Sequence, residues 1–338
     1  MRRIAITAAI AAGMLVLAGC AGATTTDEAG SGSEEAEAAA VTDVQIIVPA
    51  DPGGGWDQTG RAMSEVLTGD DLVASAPVTN IGGAGGTVGL ASLANERDPY
   101  TLMVMGLVMV GAVETNASAS RIEDMTPIAR LTEEPLVVVV PESSPYETLE
   151  DLIDGIVDDG QSVTITGGSA GGADHILVGL LLTEAGLDSA EISEKLNYIP
   201  NSGGGEAVTM LLGGNASAGI SGVGEFSEFI ADGSMRALAV SSEEPAALLP
   251  DTPTIVDEGY DVVLTNWRGV IAPGGISDAE TAALTDLVTE LSASSQWQSV
   301  LEERGWTDAF LAGAEFEEFI TGNITEVAET LAVIGLVQ

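Results

Sequence analysis

Basic side chains are scarce in this 338-residue sequence, which has 10 Lys and Arg against 52 Asp and Glu and a formal net charge of −42. A surface of this sign repels phosphate backbones and anionic bilayers, which excludes nucleic acid and anionic membrane surfaces as partners. The chain has one cysteine and one histidine. These counts exclude an intrachain disulfide and a structural zinc cluster.

Apolar residues and glycine are, in contrast, abundant. Hydrophobic residues make up 45% of the chain, and the mean hydropathy of +0.29 argues against intrinsic disorder. At roughly 150 residues per domain, the length indicates about two domains. Glycine accounts for 42 residues, well above its usual share of about 7%. Its positions therefore need an explanation.

The N-terminal segment resembles the export signal of a bacterial lipoprotein. Arg2 and Arg3 precede an apolar run over residues 4–18 that ends in LAGC at 17–20. This run is shorter than the ~20 residues of a membrane-spanning helix. We therefore predict a signal peptide at 1–19, lipidation of Cys20 after cleavage, and a flexible acidic tether over 20–42. The mature protein is then expected outside the cytoplasm, anchored to the cell membrane as a lipoprotein.

The rest of the chain alternates strand-like and helix-like segments. Apolar runs at 102–113 and 136–140 are too short for membrane spans and fit buried strands. Strands that alternate with helices through glycine-rich joints predict an α/β fold with a parallel sheet. The same strand–loop–helix unit recurs in both halves, which predicts two similar lobes.

Four glycine-rich loops, centred on 53–57, 82–87, 167–172 and 203–206, each lie between a strand and a helix. A helix N terminus exposes unpaired N–H groups and the positive end of the helix dipole, and glycine lets a ligand approach the backbone. Such loops suit an anion. No loop has the spacing of a nucleotide-binding motif, which favours carboxylate over phosphate. The alternative is that the glycines only form tight turns.

Residues 167–171 match the G-x-S-x-G pattern of a hydrolase nucleophile elbow around Ser169. The only histidine, His175, follows six residues later on the helix that has just begun. A hydrolase of that fold needs its histidine far downstream, so the sequence disfavours serine hydrolysis. His175 is either a ligand contact at a helix start or a plain polar residue of the helix.

Three charged residues could each have a structural role or a role in ligand binding. Asp57 either caps the helix that follows it, binds a donor on the ligand, or does both. Arg61 lies four residues later, where an ion pair with Asp57 is favoured over a ligand role. Arg268 is likewise favoured as a structural ion-pair partner.

Several motifs, in their order and spacing, resemble the substrate-binding proteins of tripartite tricarboxylate transporters, the TctC/Bug family. VPADPGGGWD at 48–57, followed by Arg61, resembles the first ligand loop of that family, and NIGGAGGTVG at 80–89 resembles the second. GSAGGADH at 168–175 and GGGEA at 203–207 resemble the TctC-like branch. Further matches are DPYTL at 98–102, RALAV at 236–240, LPDTPT at 249–254, WRG at 267–269 and APG at 272–274. Asp51 and Trp56 depart from the small or neutral residues usual at those positions.

The resemblance implies an α/β, two-lobed periplasmic-binding-protein (Venus flytrap) fold, type II-like. It implies lobe 1 at 43–141 and 241–338 and lobe 2 at 142–240. The implied activity is binding of a di- or tricarboxylate, citrate-like, between the lobes and its delivery to permease subunits of the TctA/TctB type. No catalytic residue, cofactor or metal is implied. A carboxylate sensor that feeds a signalling system stays as an alternative, and a serine hydrolase as an unfavoured one.

Carried over residue by residue, the resemblance implies a ligand site shared by both lobes. Lobe 1 is expected to contribute Gly54, Gly55, Trp56, Asp57, Ala84, Gly85 and Thr87. Lobe 2 is expected to contribute Ser169, Ala170, Gly171, Asp174, Asn201 and Glu225.

Overall fold

The computed structural model describes residues 41–201 and 204–337. The predicted signal peptide, Cys20 and most of the predicted tether lie outside the described residues. The strands of the described residues are β1 (Gln45–Val48), β2 (Val78–Asn80), β3 (Thr101–Gly106), β4 (Thr126–Pro141), β5 (Thr164–Gly167), β6 (Asn197–Pro200), β7 (Ala218–Gly222), β8 (Met235–Val240), β9 (Thr265–Ala272) and β10 (Thr307–Ala312).

Helices connect these strands and cover the sheet. They are α1 (Gly55–Gly69), α2 (Thr87–Leu93), α3 (Leu107–Thr115), α4 (Leu149–Asp159), α5 (Ala173–Glu184), α6 (Ser189–Lys195), α7 (Gly204–Leu212), α8 (Val223–Ala231), α9 (Asp278–Ala293), α10 (Ser295–Arg304) and α11 (Gly313–Val333). No helix in the described part of the chain has the length and apolar character that a membrane crossing needs.

The strands form a mixed sheet in the order β2-β1-β3-β9-β4-β7-β5-β6, and β8 and β10 also pair with β4. The pairs at both ends of this order are parallel. Every pair that involves β4 or β9 is antiparallel. The predicted parallel sheet is therefore wrong at its centre. Local periodicity shows where a strand lies, but its direction depends on which distant segment pairs with it.

β4 has 16 residues and belongs to both halves of the sheet. Its residues up to Pro135 pair with β9 and β10, and its residues from Leu136 onward pair with β7 and β8. We call β1–β3, β9, β10 and the first part of β4 the first lobe. We call β5–β8 and the rest of β4 the second lobe. The residue limits derived from the resemblance stay a prediction, and the change of pairing partners occurs inside β4.

The apolar run at 102–113, predicted to be a buried strand, is only half strand. β3 ends at Gly106, and the next residues form the buried helix α3, which packs against α5 and α11. A Cβ at Gly106 would lie 2.2 Å from the backbone oxygen of Trp267, so glycine allows β9 to approach. A buried strand and a buried helix are equally apolar, which is why periodicity could not separate them.

The core is built from apolar side chains on both faces of the sheet. Trp297, Phe316 and Ile46 are fully buried within its main cluster. A smaller cluster around Phe226 lies in the second lobe under α7 and α8. The sequence prediction did not include α6, α8, α10 and β10. These elements are short, and α10 is largely polar on its exposed face.

Candidate functional site

Nine of the helix N termini in the described part of the chain fall into two groups. Four helices begin after a residue whose side chain accepts hydrogen bonds from first-turn N–H groups: Thr148, Asp188, Ser277 and Ser294. Five begin after a glycine, which has no side chain to do so: Gly54, Gly86, Gly106, Gly172 and Gly222. The glycine-started helices leave their first-turn N–H groups available to another acceptor.

A cavity of about 280 Å³ lies between the two lobes. Ten of the thirteen residues predicted to bind ligand line it. Those of the first lobe are Gly54, Gly55, Trp56, Ala84 and Gly85. Those of the second lobe are Ser169, Ala170, Asp174, Asn201 and Glu225. Three glycine loops on two lobes therefore meet at one cavity, which tight turns alone would not require.

The second glycine loop turns through a run of left-handed backbone. Ala84 has φ 49°, and Gly85 and Gly86 have φ 62° and 92°. Of these three residues only Ala84 has a Cβ, so only Ala84 has a steric penalty in this conformation, of roughly 1–2 kcal/mol. A Cβ at Gly86 would lie 2.8 Å from Cζ3 of Trp56, so the indole packs directly on this loop. Trp56 thus joins the first loop to the second and closes one side of the cavity.

Asp57 lies behind the cavity wall and holds the first loop together. Its Oδ2 accepts hydrogen bonds from the N–H of Gly53 and from Nε of Arg61, both at 2.9 Å, and its Oδ1 accepts one from Asn80 at 2.9 Å. Burial raises the pKa of Asp57, but these hydrogen bonds outweigh it and hold the pKa below its ordinary value. The helix begins at Gly55, so Asp57 is not its N-cap. Arg61 forms the expected ion pair with Asp57.

Thr87 and Gly171 also lie outside the cavity lining, and their contacts are internal to the loops. The hydroxyl of Thr87 donates to the carbonyl of Ala84 at 3.0 Å. Gly171 has φ 73°, and a Cβ there would lie 2.5 Å from the methyl group of Thr115. Both residues shape the loops that line the cavity. Their predicted direct contact with ligand stays a prediction.

Arg268 and Glu134 form a buried ion pair across β9 and β4. Each side chain is 3% exposed, and Nη2 of Arg268 donates to Oε1 of Glu134. The guanidinium also lies 5.1 Å from the ring centre of Trp306. Burial raises the pKa of Glu134, and the guanidinium opposes this shift. Arg268 is thus the ion-pair partner that was favoured, and it also lines the cavity.

Two glycines make room for this pair. A Cβ at Gly55 would lie 2.3 Å from Nη2 of Arg268, and one at Gly222 would lie 2.4 Å from Oε1 of Glu134. Nε and Nη1 of Arg268 have no hydrogen-bond partner in the structure. Sequence reasoning missed Glu134, although an acid beside the apolar run at 136–140 is costly to bury without a partner. The position of this acid next to a buried strand could therefore have indicated a buried ion pair.

Asp174 and Glu225 bring two more carboxyl groups to the second-lobe side of the cavity. Oδ2 of Asp174 accepts a hydrogen bond from the N–H of Gly168 at 2.5 Å. Burial raises the pKa of Asp174 to about 7; the Gly168 hydrogen bond opposes this shift, and the charges of Glu225 and Glu134 add to it. Glu225 accepts a hydrogen bond from the hydroxyl of Ser221.

His175 is not among the residues that line the cavity with Ser169. Its ring stacks on Tyr198 with centroids 4.0 Å apart, and its Nδ1 accepts a hydrogen bond from the N–H of Gly171 at 3.3 Å. Burial lowers the pKa of His175 to about 4, so the ring is neutral at pH 7. None of the described hydrogen bonds joins Ser169 to His175. His175 is therefore a packed polar residue of the helix, and the G-x-S-x-G pattern carries no nucleophile–base pair.

Asn201 stands at the start of the fourth glycine loop. Its side-chain amide donates to Oγ1 of Thr166 at 2.7 Å and to the carbonyl of Gly167 at 2.8 Å. These bonds fix the end of β6 against the end of β5. Residues 202 and 203 lie outside the described part of the chain, so the contribution of this loop to the cavity rests on Asn201.

Comparison with known proteins decides the family. The model of the tripartite tricarboxylate transporter family receptor, TctC, matches residues 62–336. This chain belongs to the TctC family. The match reaches into both lobes and includes the glycine loops at 82–87, 167–172 and 203–206.

Relatives of this TctC family member are found among curated bacterial proteins. Protein BugT of Bordetella pertussis is 28% identical, over 86% of this chain and 89% of its own length. A protein encoded in the TAR-I ttuE-ttuC′ intergenic region of Agrobacterium vitis is 32% identical, over 74% of both chains.

Solved structures show the same fold. The periplasmic binding protein BugD matches with a TM-score of 0.76 at 22% identity, covering 88% of this TctC chain and 98% of its own. MatC from Rhodopseudomonas palustris, solved with malate, matches with a TM-score of 0.73 at 20% identity, covering 86% of this chain and 99% of its own. Another protein from that organism, solved with adipate, matches with a TM-score of 0.77 at 20% identity, covering 87% of this chain and 97% of its own. The two-lobed periplasmic-binding-protein fold is thereby confirmed.

Membership in the TctC family also settles the broad class of activity. The family consists of substrate-binding receptors, so this chain is a receptor and not an enzyme. A periplasmic-binding-protein family implies a location outside the cytoplasm.

Proposed function

We propose that this receptor binds a small di- or tricarboxylate in the cavity between its lobes and delivers it to a membrane permease. The observation that carries this proposal is the convergence of uncapped helix N termini on one cavity that also contains an arginine with free N–H groups. Gly54, Gly86 and Gly222 each precede a helix and line the cavity. Together these groups supply the hydrogen-bond donors that a carboxylate needs.

Arg268 is the cationic side chain of this site. Its Nη2 is bound to Glu134, while its Nε and Nη1 are free to donate. A carboxylate near Gly55 would approach Nη2 and Nε of Arg268 together with the N–H groups of the first turn of α1, because a Cβ at Gly55 would lie 2.3 Å from Nη2 and 3.3 Å from Nε. Two structural neighbours were solved with dicarboxylates, malate and adipate, which supports this ligand class.

Ligand capture is proposed to occur by closure of the two lobes. A Cβ at Gly85 would lie 3.5 Å from the Cβ of Ser169, so a loop of the first lobe lies close to a loop of the second at the cavity. A ligand that contacts both loops stabilises the closed arrangement over an open one. Addition of ligand should therefore reduce the radius of gyration measured by small-angle X-ray scattering.

The N-terminal segment supports the proposed anchoring. LAGC at 17–20 follows an apolar run, and the lipid on Cys20 would hold the receptor at the membrane through the segment over 20–42. The proposed partners are permease subunits of the TctA/TctB type. Mass spectrometry of the membrane-extracted protein would show a diacylated N-terminal cysteine, and a Cys20→Ala variant would lose the membrane fraction.

A thermal-shift screen of succinate, malate, adipate and citrate tests the proposed ligand class. A carboxylate at 100 times its dissociation constant adds about 2.7 kcal/mol of stability, which raises the melting temperature by roughly 4 °C in a chain of this size. The double variant Glu134→Gln/Arg268→Gln should lose most of this rise.

A matched control carries the same two substitutions outside the cavity. Glu96→Gln/Arg97→Gln also replaces one acid and one base, at partly and fully exposed positions, and should keep the full rise. No rise with any member of the panel, and no heat of binding by calorimetry, would contradict the proposed function.

A further inference from the structure

The charged side chains that line the cavity include more acids than bases. Asp51, Glu134, Asp174 and Glu225 contribute carboxyl groups, and Arg268 contributes the guanidinium. Glu134 and Arg268 neutralise one another through their ion pair. The other carboxyl groups have no cationic partner among the described residues. An anion without any positive group would enter a cavity whose remaining side-chain charge is negative.

The second-lobe carboxyl groups have oxygens to spare. Oδ2 of Asp174 accepts from Gly168, and Oε2 of Glu225 accepts from Ser221. The other oxygen of each carboxyl group accepts no hydrogen bond from a described residue. Both side chains line the cavity. Each therefore has an acceptor available to a donor that comes from the ligand.

Asn266 gives an independent indication of a donor on the ligand. It is 9% exposed, it lines the cavity, and its Oδ1 has no hydrogen-bond partner. A buried amide oxygen without a partner costs free energy, and a ligand N–H group would satisfy it. Asn266 lies opposite Glu134 in the pairing of β4 with β9, at the floor of the cavity.

We propose that the ligand is an amino-carboxylate, a carboxylate that also carries a protonated amine. This inference rests on the proposed function and specifies it. The carboxylate binds at the N terminus of α1 beside Arg268, and the ammonium group binds at Glu225 and Asp174 on the second lobe. Each end of the ligand then meets its complement on a different lobe, which couples recognition of both groups to closure.

Calorimetric titration with isosteric pairs tests this assignment. Succinate and aspartate differ by one ammonium group, as do glutarate and glutamate. We expect the amino member of at least one pair to bind ten-fold or more tightly than its plain partner, at one fixed pH and salt concentration. In Glu225→Gln this preference should fall at least five-fold, with the melting temperature of the ligand-free protein retained.

Glu228→Gln is the control, because it removes the same charge from the exposed side of the same helix. It should retain the preference of the unmodified protein. Equal or tighter binding of the plain dicarboxylates would overturn this inference and leave the proposed function intact. A preference that Glu225→Gln does not change would overturn the assigned position of the ammonium group. Binding of no member of either pair, nor of any other carboxylate, would overturn both proposals.

Discussion

Replacement of Asp174 by asparagine should change how the stability of the protein depends on pH. Asp174 is buried, and burial raises its pKa from 3.8 to about 7. The Asp174→Asn variant keeps the shape of the side chain, and its amide oxygen can still accept from the N–H of Gly168. The variant therefore removes the titration with little change in packing.

The expected magnitude follows from the difference between the two pKa values. Below pH 3.8 the folded and unfolded chains both hold the proton, and the group costs nothing. Between pH 3.8 and about 7 the folded chain keeps a proton that the unfolded chain releases, so stability falls as the pH rises. Above pH 7 the loss is complete, at about 4 kcal/mol. Between pH 5 and pH 8 it amounts to about 2–3 kcal/mol.

Denaturant unfolding of the ligand-free protein at pH 5 and pH 8, in constant salt, measures this difference. Asp174→Asn should gain about 2–3 kcal/mol of unfolding free energy relative to the unmodified protein on going from pH 5 to pH 8. Asp158→Asn, which removes an exposed carboxylate from α4, should show no such gain. A difference between Asp174→Asn and the unmodified protein that stays constant over this pH range would refute the raised pKa of Asp174.

Three further predictions follow from the contacts around the cavity and from the charge. Glu134→Gln should lower the unfolding free energy by about 3–5 kcal/mol, because the buried charge of Arg268 loses its partner. Denaturant unfolding measures this loss. A double variant, Glu134→Leu/Arg268→Met, should recover most of it. Asp57→Ala should weaken carboxylate binding while the fold is retained, because the first loop loses the hydrogen bonds from Gly53 and Asn80; an unchanged affinity in calorimetry would remove Asp57 from the site. The melting temperature should rise steadily from low salt to 1 M sodium chloride, because salt screens the self-repulsion of a chain with a net charge of −42. The Debye length falls from about 8 Å at 0.15 M to about 3 Å at 1 M. A flat or falling melting temperature would show that repulsion does not limit stability.

The position of the cavity was predictable from the sequence because it depends on local signals. A glycine between a strand and a helix marks an uncapped helix N terminus wherever it occurs, and three of the four loops chosen on that basis line one cavity. The loops at 53–57, 82–87 and 167–172 were found in this way. The residues inside each loop were harder to assign. Asp57 and Thr87 are polar residues of the kind that contact ligands, but their side chains hydrogen-bond within their own loops.

The ion pair at the floor of the cavity was not predictable from local patterns. Glu134 and Arg268 are 134 residues apart and meet only because β4 pairs with β9 in an antiparallel register. Nothing within a few residues of either side chain encodes that pairing. The same reason explains why strand direction at the centre of the sheet was mispredicted, and why Asn266 was not identified.

A crystal structure of the receptor with its best-binding carboxylate would show whether the ligand binds where the helix N termini and Arg268 meet. We expect ligand density inside the cavity of about 280 Å³. The carboxylate should lie within hydrogen-bond distance of backbone N–H groups in the first turn of α1 and of the free guanidinium N–H groups of Arg268. A ligand bound outside this cavity, or one that reaches only the second-lobe residues and leaves Arg268 without contact, would contradict this expectation.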